Sequence, residues 1–199
     1  MDIFIESRKR KIENIIKDYP KAIIIDVTSN SDSEYRQLSP FYPVGDIPVP
    51  GFSNLKAVCV EAIWQALKVF ELFNYDLSYL EKSHKNIKRT VRKYGKVKGH
   101  FYNGELLSYI DARKKIYLPA YKFVLEEKLK FLINKLQKLS KTKTLVLLDY
   151  TKNDNILDTK KPLSHAAIIR AAIIKDYSIL ENGYKPTKIN NQPIQKTLF

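Results

Sequence analysis

Three polar side chains, Glu61, Gln65 and Lys68, interrupt a stretch that is otherwise almost wholly apolar, residues 55–74, LKAVCVEAIWQALKVFELFN. Their spacing of i, i+4, i+7 puts them on one narrow arc of a helix that turns about 100° per residue, with Trp64 beside them. A carboxylate and an ammonium among apolar neighbours are costly unless paired and hydrogen-bonded. The same burial shifts pKa values, which is how general acids, bases and amine nucleophiles are made. Two readings follow. Either Glu61 and Lys68 do chemistry, or they form a structural ion pair that anchors the helix.

The surrounding elements must position this arc. Nothing in residues 55–74 breaks a helix, so the stretch is predicted as one helix buried on most sides. Before it, residues 38–52, LSPFYPVGDIPVPGF, hold four prolines and two glycines. They exclude a long helix, yet Phe41, Tyr42, Ile47, Val49 and Phe52 are too apolar for a free linker. An ordered, extended segment packed over a core or a pocket is expected, with room for a short hairpin. Residues 2–19 read as an amphipathic helix with Ile5, Ile12, Ile16 and Tyr19 on one face. Residues 22–27 (AIIIDV) and 144–150 (TLVLLDY) read as buried strands. A long helix is predicted over residues 109–139, with a stripe of Leu125, Leu129, Leu132, Leu136 and Leu139 and with Pro119 kinking or splitting it. A last helix is predicted over 163–177, with Ser164 as its N-cap and His165 in its first turn. Asp149 falls at a strand end, and Asp154 and Asp158 in the polar loop 151–161.

The chain has 199 residues, 44% hydrophobic and 28% charged, the balance of a folded domain. We expect one domain over residues 1–181 and a loosely attached tail over 182–199. One cysteine, Cys59, and three histidines rule out a disulfide framework and a cysteine-based zinc cluster and argue against a histidine-rich metal site. No metal or cofactor is expected. No run approaches ~18 consecutive apolar residues and the first residues do not resemble a signal peptide, so the expected setting is the cytoplasm, a host's if the protein is viral, with no membrane partner. The formal net charge is +14, which attracts polyanions. Residues 82–100 contain eight Lys or Arg and no acid. They are predicted as a helix with Ile87, Val91 and Tyr94 inward and Lys85, Arg89 and Arg92 outward, and with Lys88 and Lys93 they form a candidate nucleic-acid-binding set. A merely solvated basic face is the alternative. Phosphate-cradling Gly-x-x-x-x-Gly-Lys and Gly-x-Gly-x-x-Gly loops are absent, as is a Gly-x-Ser-x-Gly elbow.

Glu61-x-x-x-Gln65-Ala66-x-Lys68, preceded by Leu38-Ser39-Pro40-Phe41-Tyr42-Pro43, resembles the signature of the NADAR family of N-glycosidases, where a Ser-Asn-Phe segment precedes a helix with Glu-x-x-x-Gln-Ala-x-Lys. The resemblance implies a compact, mostly helical α+β domain with a few short strands. It implies hydrolysis of an N-glycosidic bond: removal of ADP-ribose from guanine in DNA, as an antitoxin or counter-defence activity, or cleavage of phosphorylated riboflavin intermediates. By matching position Glu61 and Lys68 take the catalytic places, Lys68 with a Schiff-base role. Ser39, Phe41, Tyr42, Trp64, Gln65, Tyr109, Asp158 and Arg170 form the candidate substrate-binding set, Tyr109 standing where the family has tryptophan. ADP-ribosylated nucleic acid or a phosphorylated nucleotide-like small molecule is the implied partner. Two departures stand out. Pro40 replaces asparagine, and the loop 153–161 lacks the family's Trp-Gly pair and glycine-rich run. Hydrolysis of a free metabolite and a non-catalytic, basic nucleic-acid-binding role are the competing readings.

Overall fold

The fold is built on a parallel sheet whose strands come from the two ends of the chain. The computed structural model describes residues 2–83 and 87–186, so Lys85 and most of the expected tail, 187–199, lie outside the described residues. Strands β1 (Ile3–Ser7) and β2 (Ile23–Asp26) both pair in parallel with β8 (Leu145–Asp149), which runs between them. All five residues of β8 are buried. A parallel strand covered on both faces reads as a continuous apolar run, which is why TLVLLDY was legible.

Strand β1 corrects the helix expected over residues 2–19. In IFIES the alternate residues Ile3 and Ile5 enter the main core, while Phe4 packs from the other face against a small cluster with Ile15, Val146 and Leu148. Helix α1 (Ile12–Asp18) starts later and buries Ile15, leaving Ile12 and Ile16 exposed. The apparent helical stripe had joined a strand residue to two solvent-facing ones.

Residues 38–52 are ordered, as expected. The buried Tyr121 hydroxyl donates to the Leu38 carbonyl, and the Glu61 N–H donates to the Pro40 carbonyl at 2.9 Å. The two-residue strands β3 (Ile47–Pro48) and β4 (Lys56–Ala57) pair antiparallel across the loop 49–55. Gly51 turns the chain at φ +84°, where a Cβ would meet Tyr102 and Asn103 at 3.0 and 3.1 Å, so only glycine fits.

The central helix is far shorter than predicted. Helix α2 covers Val60–Ala66, and after Leu67 the chain becomes strand β5 (Lys68–Phe70). This strand pairs antiparallel with β6 (Val97–Tyr102), which pairs with β7 (Glu105–Leu107). The run KVF suits a strand as well as a helix, and the ladder opposite His100 and Gly99 decides in favour of the strand.

The basic stretch is corrected too. Helix α3 (Val91–Tyr94) is a single turn, and Val91, expected inward, is 62% exposed. Arg89, expected outward, is 5% exposed. Its guanidinium donates to the carbonyls of Gln65 (3.3 Å), Lys68 (2.8 Å) and Asn74 (2.7 Å) and lies 4.8 Å from the Phe70 ring centre. The Gln65 carbonyl is one of those left without an intrahelical partner where α2 stops, and the Lys68 carbonyl opens the strand that follows. Arg89→Met should therefore cost roughly 2–3 kcal/mol in urea unfolding, because buried acceptors lose a charged donor. Lys93→Met, at an exposed position, should stay within about 0.5 kcal/mol. Equal effects from the two variants would remove this role for Arg89.

The long helix exists as a helical run with two wider turns, interrupted at Leu129 (φ −116°, ψ 22°): α4 (Tyr109–Ala112), a π segment (Arg113–Tyr117), α5 (Leu118–Phe123), a second π segment (Val124–Lys128) and α6 (Lys130–Ser140). Pro119 is the second residue of α5, with Leu118 between it and the first π segment, whose altered hydrogen-bond register accommodates its missing N–H. Leu125, Leu129, Leu132 and Leu136 are buried as the stripe foretold. Helices α7 (His165–Ile174) and α8 (Ile179–Asn182) complete the chain. One hydrophobic cluster joins the parallel sheet, α2, the helical run and α7. The architecture is α+β, 41% helix and 16% strand. Tyr184, within the expected tail, is docked: its hydroxyl accepts the Ile3 N–H at 3.0 Å and its ring lies 4.2 Å from the Arg170 guanidinium. No described helix is long and apolar enough to cross a membrane.

Candidate active site

Glu61, Gln65 and Lys68 line a single cavity of about 410 Å³, together with Ser39, Pro40 and Phe41 of the proline-stiffened segment. Helix α2 supplies the first two. Lys68 arrives from the first residue of β5, so the shared arc survives although the helix has ended.

Gln65 is the hub. Its Nε2 donates to Glu61 Oε1 at 2.6 Å, and its Oε1 accepts from Lys68 Nζ at 3.1 Å and from the Arg89 N–H at 3.0 Å. Two donors on one oxygen fix the amide's orientation. Glu61 and Lys68 form no direct ion pair, which corrects the anchoring-pair reading: the amide stands between them. Burial pushes the Glu61 carboxyl above its usual value, against the Gln65 bond and the Lys68 charge. Burial pushes the Lys68 amine down, against the Glu61 charge. Each group is moved toward its neutral form.

Aromatic rings form one wall. Trp64 lies on His100 at 3.8 Å between centroids and contacts Tyr109 and Tyr117 at 5.8 and 5.5 Å. Lys88 Nζ is 5.5 Å from the Phe41 ring, and among the described residues neither Lys68 nor Lys88 is in an ion pair.

Another wall holds Asp149 and His165. Asp149 Oδ2 accepts from the Ser164 hydroxyl at 2.5 Å and His165 Nδ1 at 3.0 Å, and more weakly from the Ala166 N–H at 3.4 Å. Ser164 occupies the N-cap position as predicted but makes no side-chain cap bond. The capping carboxylate comes from the strand end instead. His165 Nε2 faces the Val27 carbonyl at 2.9 Å. Both ring nitrogens thus face acceptors, and only the imidazolium has two N–H groups. Burial opposes both charges, but Asp149 holds the His165 pKa above its ordinary 6.5, and His165 with Ser164 holds Asp149 below 3.8. The His165 contribution is full below pH 6.5 and lost as pH rises through the raised value. The Asp149 contribution is present above pH 3.8 and lost as pH falls through the lowered one. Unfolding free energy should therefore fall in urea titrations as pH rises from 6.5 through the raised His165 value, and His165→Gln should flatten that slope. An unchanged slope in the variant would refute the pairing.

The structure brings Ser39, Phe41, Trp64, Gln65 and Tyr109 into the cavity with Glu61, Lys68, Lys88 and Arg89. It leaves out the rest of the candidate set. Tyr42 faces a separate shallow depression with Arg36. Asp158 Oδ1 accepts the Lys160 N–H at 2.9 Å, shaping its own loop. Arg170 is buried, bonded to Asp154 at 2.6 Å and stacked on Tyr184. Arg92 and Lys93 are exposed and line no part of the cavity. Arg113, Tyr117 and His165 line it although sequence reasoning had given none of them a role there, and Asp149 had been noted only as a strand end. Arg113 donates to the carbonyls of Ile156 (2.9 Å), Asp158 (2.7 Å) and Lys161 (2.8 Å), tying the glycine-free loop down, with its guanidinium 4.4 Å from the Tyr109 ring. Cys59 is buried, its thiol pushed up to about 11 by burial, which removes it as a nucleophile. Among the described residues no group of three or more His, Cys, Asp or Glu could hold a metal.

Residues 7–169 match the model of a family of unknown function, DUF6939. The chain belongs to this family. The span that matches DUF6939 runs from the last residue of β1 into α7 and contains every residue that lines the cavity. No curated protein matches the chain.

Proposed function

We propose that the cavity hydrolyses the N-glycosidic bond between a phosphorylated sugar and a nucleobase or similar heterocycle, with ADP-ribose on guanine as the first substrate to try. The observation that carries this reading is the Glu61–Gln65–Lys68 array, two ionisable groups shifted toward neutrality and held apart by one amide, beside an aromatic wall. The likeness of residues 38–68 to the NADAR pattern supports the same chemistry. In the reaction the C1–N bond breaks, its electron pair stays on the base nitrogen, and positive charge grows on C1 and the ring oxygen. The Glu61 carboxylate stabilises that charge or takes a proton from the water that adds to C1. The departing nitrogen takes a proton, giving free sugar and free base. In a covalent variant the neutral Lys68 amine attacks C1. The base leaves with one amine proton, the bond from C1 to the ring oxygen then breaks with that oxygen taking the other proton, and a C1=N imine forms that water hydrolyses back to amine and sugar aldehyde. Lys88, in no ion pair among the described residues and exposed at the cavity, suits a phosphate.

A second reading, a free phosphorylated nucleoside-like metabolite as substrate, draws support from the basic stretch. Arg89 is buried, and Arg92 and Lys93 lie away from the cavity, so the set that would grip a strand is smaller than its sequence promised. The test is incubation with ADP-ribosylated guanine DNA and, separately, with free phosphorylated nucleosides, with products read by mass spectrometry. Released ADP-ribose or sugar phosphate is expected. No cleavage of either class, with folded protein, would overturn the proposal. If a polynucleotide does bind, Lys88→Met, which deletes one phosphate-binding ammonium, should make the log–log salt slope shallower by about 0.7–0.9.

A further inference from the structure

A second cavity, of about 270 Å³, lies against the first. It is lined by Trp64, Lys68 and Tyr109, which also line the main cavity, and by Val97, Lys98 and His100 of β6. The shared residues make a partition of two aromatic rings and the reactive amine. The smaller chamber falls under the roughly 300 Å³ at which pockets begin to hold drug-sized ligands, so it suits a fragment such as one planar heterocycle.

His100 marks it as built for a ligand. The ring is fully buried, and among the described residues neither Nδ1 nor Nε2 has a hydrogen-bond partner. Burial, reinforced by the nearby Lys68 charge, pushes its pKa down to about 3, so the ring is neutral, with one donor and one acceptor. Leaving both unsatisfied inside a protein is costly, and most buried histidines avoid it. The edge of a nucleobase carries adjacent donors and acceptors, and its faces stack on indole and phenol rings.

Building on the glycosidase reading, we infer that this second chamber is the leaving-group subsite, taking the nucleobase against Trp64 and His100 while the phosphorylated sugar occupies the main cavity. The scissile bond then crosses the partition at Lys68. Glu61, which lines only the main cavity, is on the sugar side, where positive charge develops.

Trp64 is the only tryptophan and borders both chambers, so its fluorescence reports binding without turnover. Competition by ribose 5-phosphate and a change at Val97, which borders the second chamber alone, tell the two chambers apart. Titration of the intact protein with adenine, hypoxanthine and uracil should give saturable quenching by at least one of them, and excess ribose 5-phosphate should not reverse it. His100→Phe keeps the ring stack but removes both nitrogens, and should weaken that base at least fivefold. Val97→Phe, at a position 41% exposed, narrows the chamber without entering the core. It should do the same, so the test survives if the His100 variant does not fold. The inference is overturned if no base quenches Trp64, if ribose 5-phosphate displaces the base, or if the folded variants bind it as tightly as the parent. Base binding without cleavage of any adduct keeps the chamber as a base-binding site but removes the glycosidase reading and with it the leaving-group role. Cleavage without base binding removes the subsite alone.

Discussion

Glu61→Gln is expected to cut turnover by at least ~10²-fold, the scale of a positioned acid–base group, while raising the melting temperature. The two effects share one cause. The Glu61 carboxyl titrates above its ordinary 4.5 because it is buried. A carboxyl with a raised folded-state pKa weakens the fold as pH climbs from 4.5 through that raised value, and the penalty persists at neutral pH. Glutamine keeps the shape and can still accept the Gln65 amide, now 2.6 Å from Oε1, but carries no charge to bury. The gain in stability should be present at pH 7 and absent at pH 4. Substrate affinity should change little, since the missing interaction belongs mainly to the transition state. Calorimetry at the two pH values and steady-state kinetics on the same sample decide the matter. A variant that loses stability at pH 7 would show that the ionised carboxylate is structural.

Lys68→Met is expected to lower turnover roughly 10³-fold or more if the amine attacks C1, and to abolish labelling when borohydride is added during reaction. Stability should shift by no more than about 1 kcal/mol, because among the described residues the lysine gives one hydrogen bond, to Gln65, and forms no ion pair. Mass spectrometry of the trapped protein reads the imine directly. Undiminished trapping in the variant would move the nucleophile to another lysine. Absence of trapping in the parent, with turnover intact, would leave Glu61 and water as the whole mechanism. The double variant should lose no more rate than the worse single one, since residues that act as a unit are not additive.

Much of this site was legible because it is local. Glu61, Gln65 and Lys68 lie within eight residues, and Ser39 to Phe41 are tied to α2 by one backbone bond from Glu61 to Pro40. What escaped was the end of the helix. LKVF has no breaker, and only the ladder with residues 97–100, which local pattern cannot reveal, turns it into a strand. Charged residues misled for a related reason. Arg89 and Arg113 look like solvent-facing charges in sequence, yet each satisfies three backbone carbonyls, and such acceptors have no sequence signature. Asp149 and His165 escaped because they are sixteen residues apart, and only the passage from β8 through the loop to α7 brings them together. At the N-terminus, Ile3 and Ile5 were too few to distinguish a period of two from one of 3.6.

The order of strands in the parallel sheet has a consequence for synthesis. β1 and β2 have no pairing with each other. Both wait for β8, which is made more than a hundred residues later. A nascent chain therefore carries two unpaired, isoleucine-rich edges through most of its translation, a state prone to join with other copies. Contacts of such high sequence separation also fold slowly. His165 seals against the Val27 carbonyl only after that late strand has arrived, so the cavity takes shape in the last stage of folding, and any fragment ending before residue 145 should be insoluble as well as inactive.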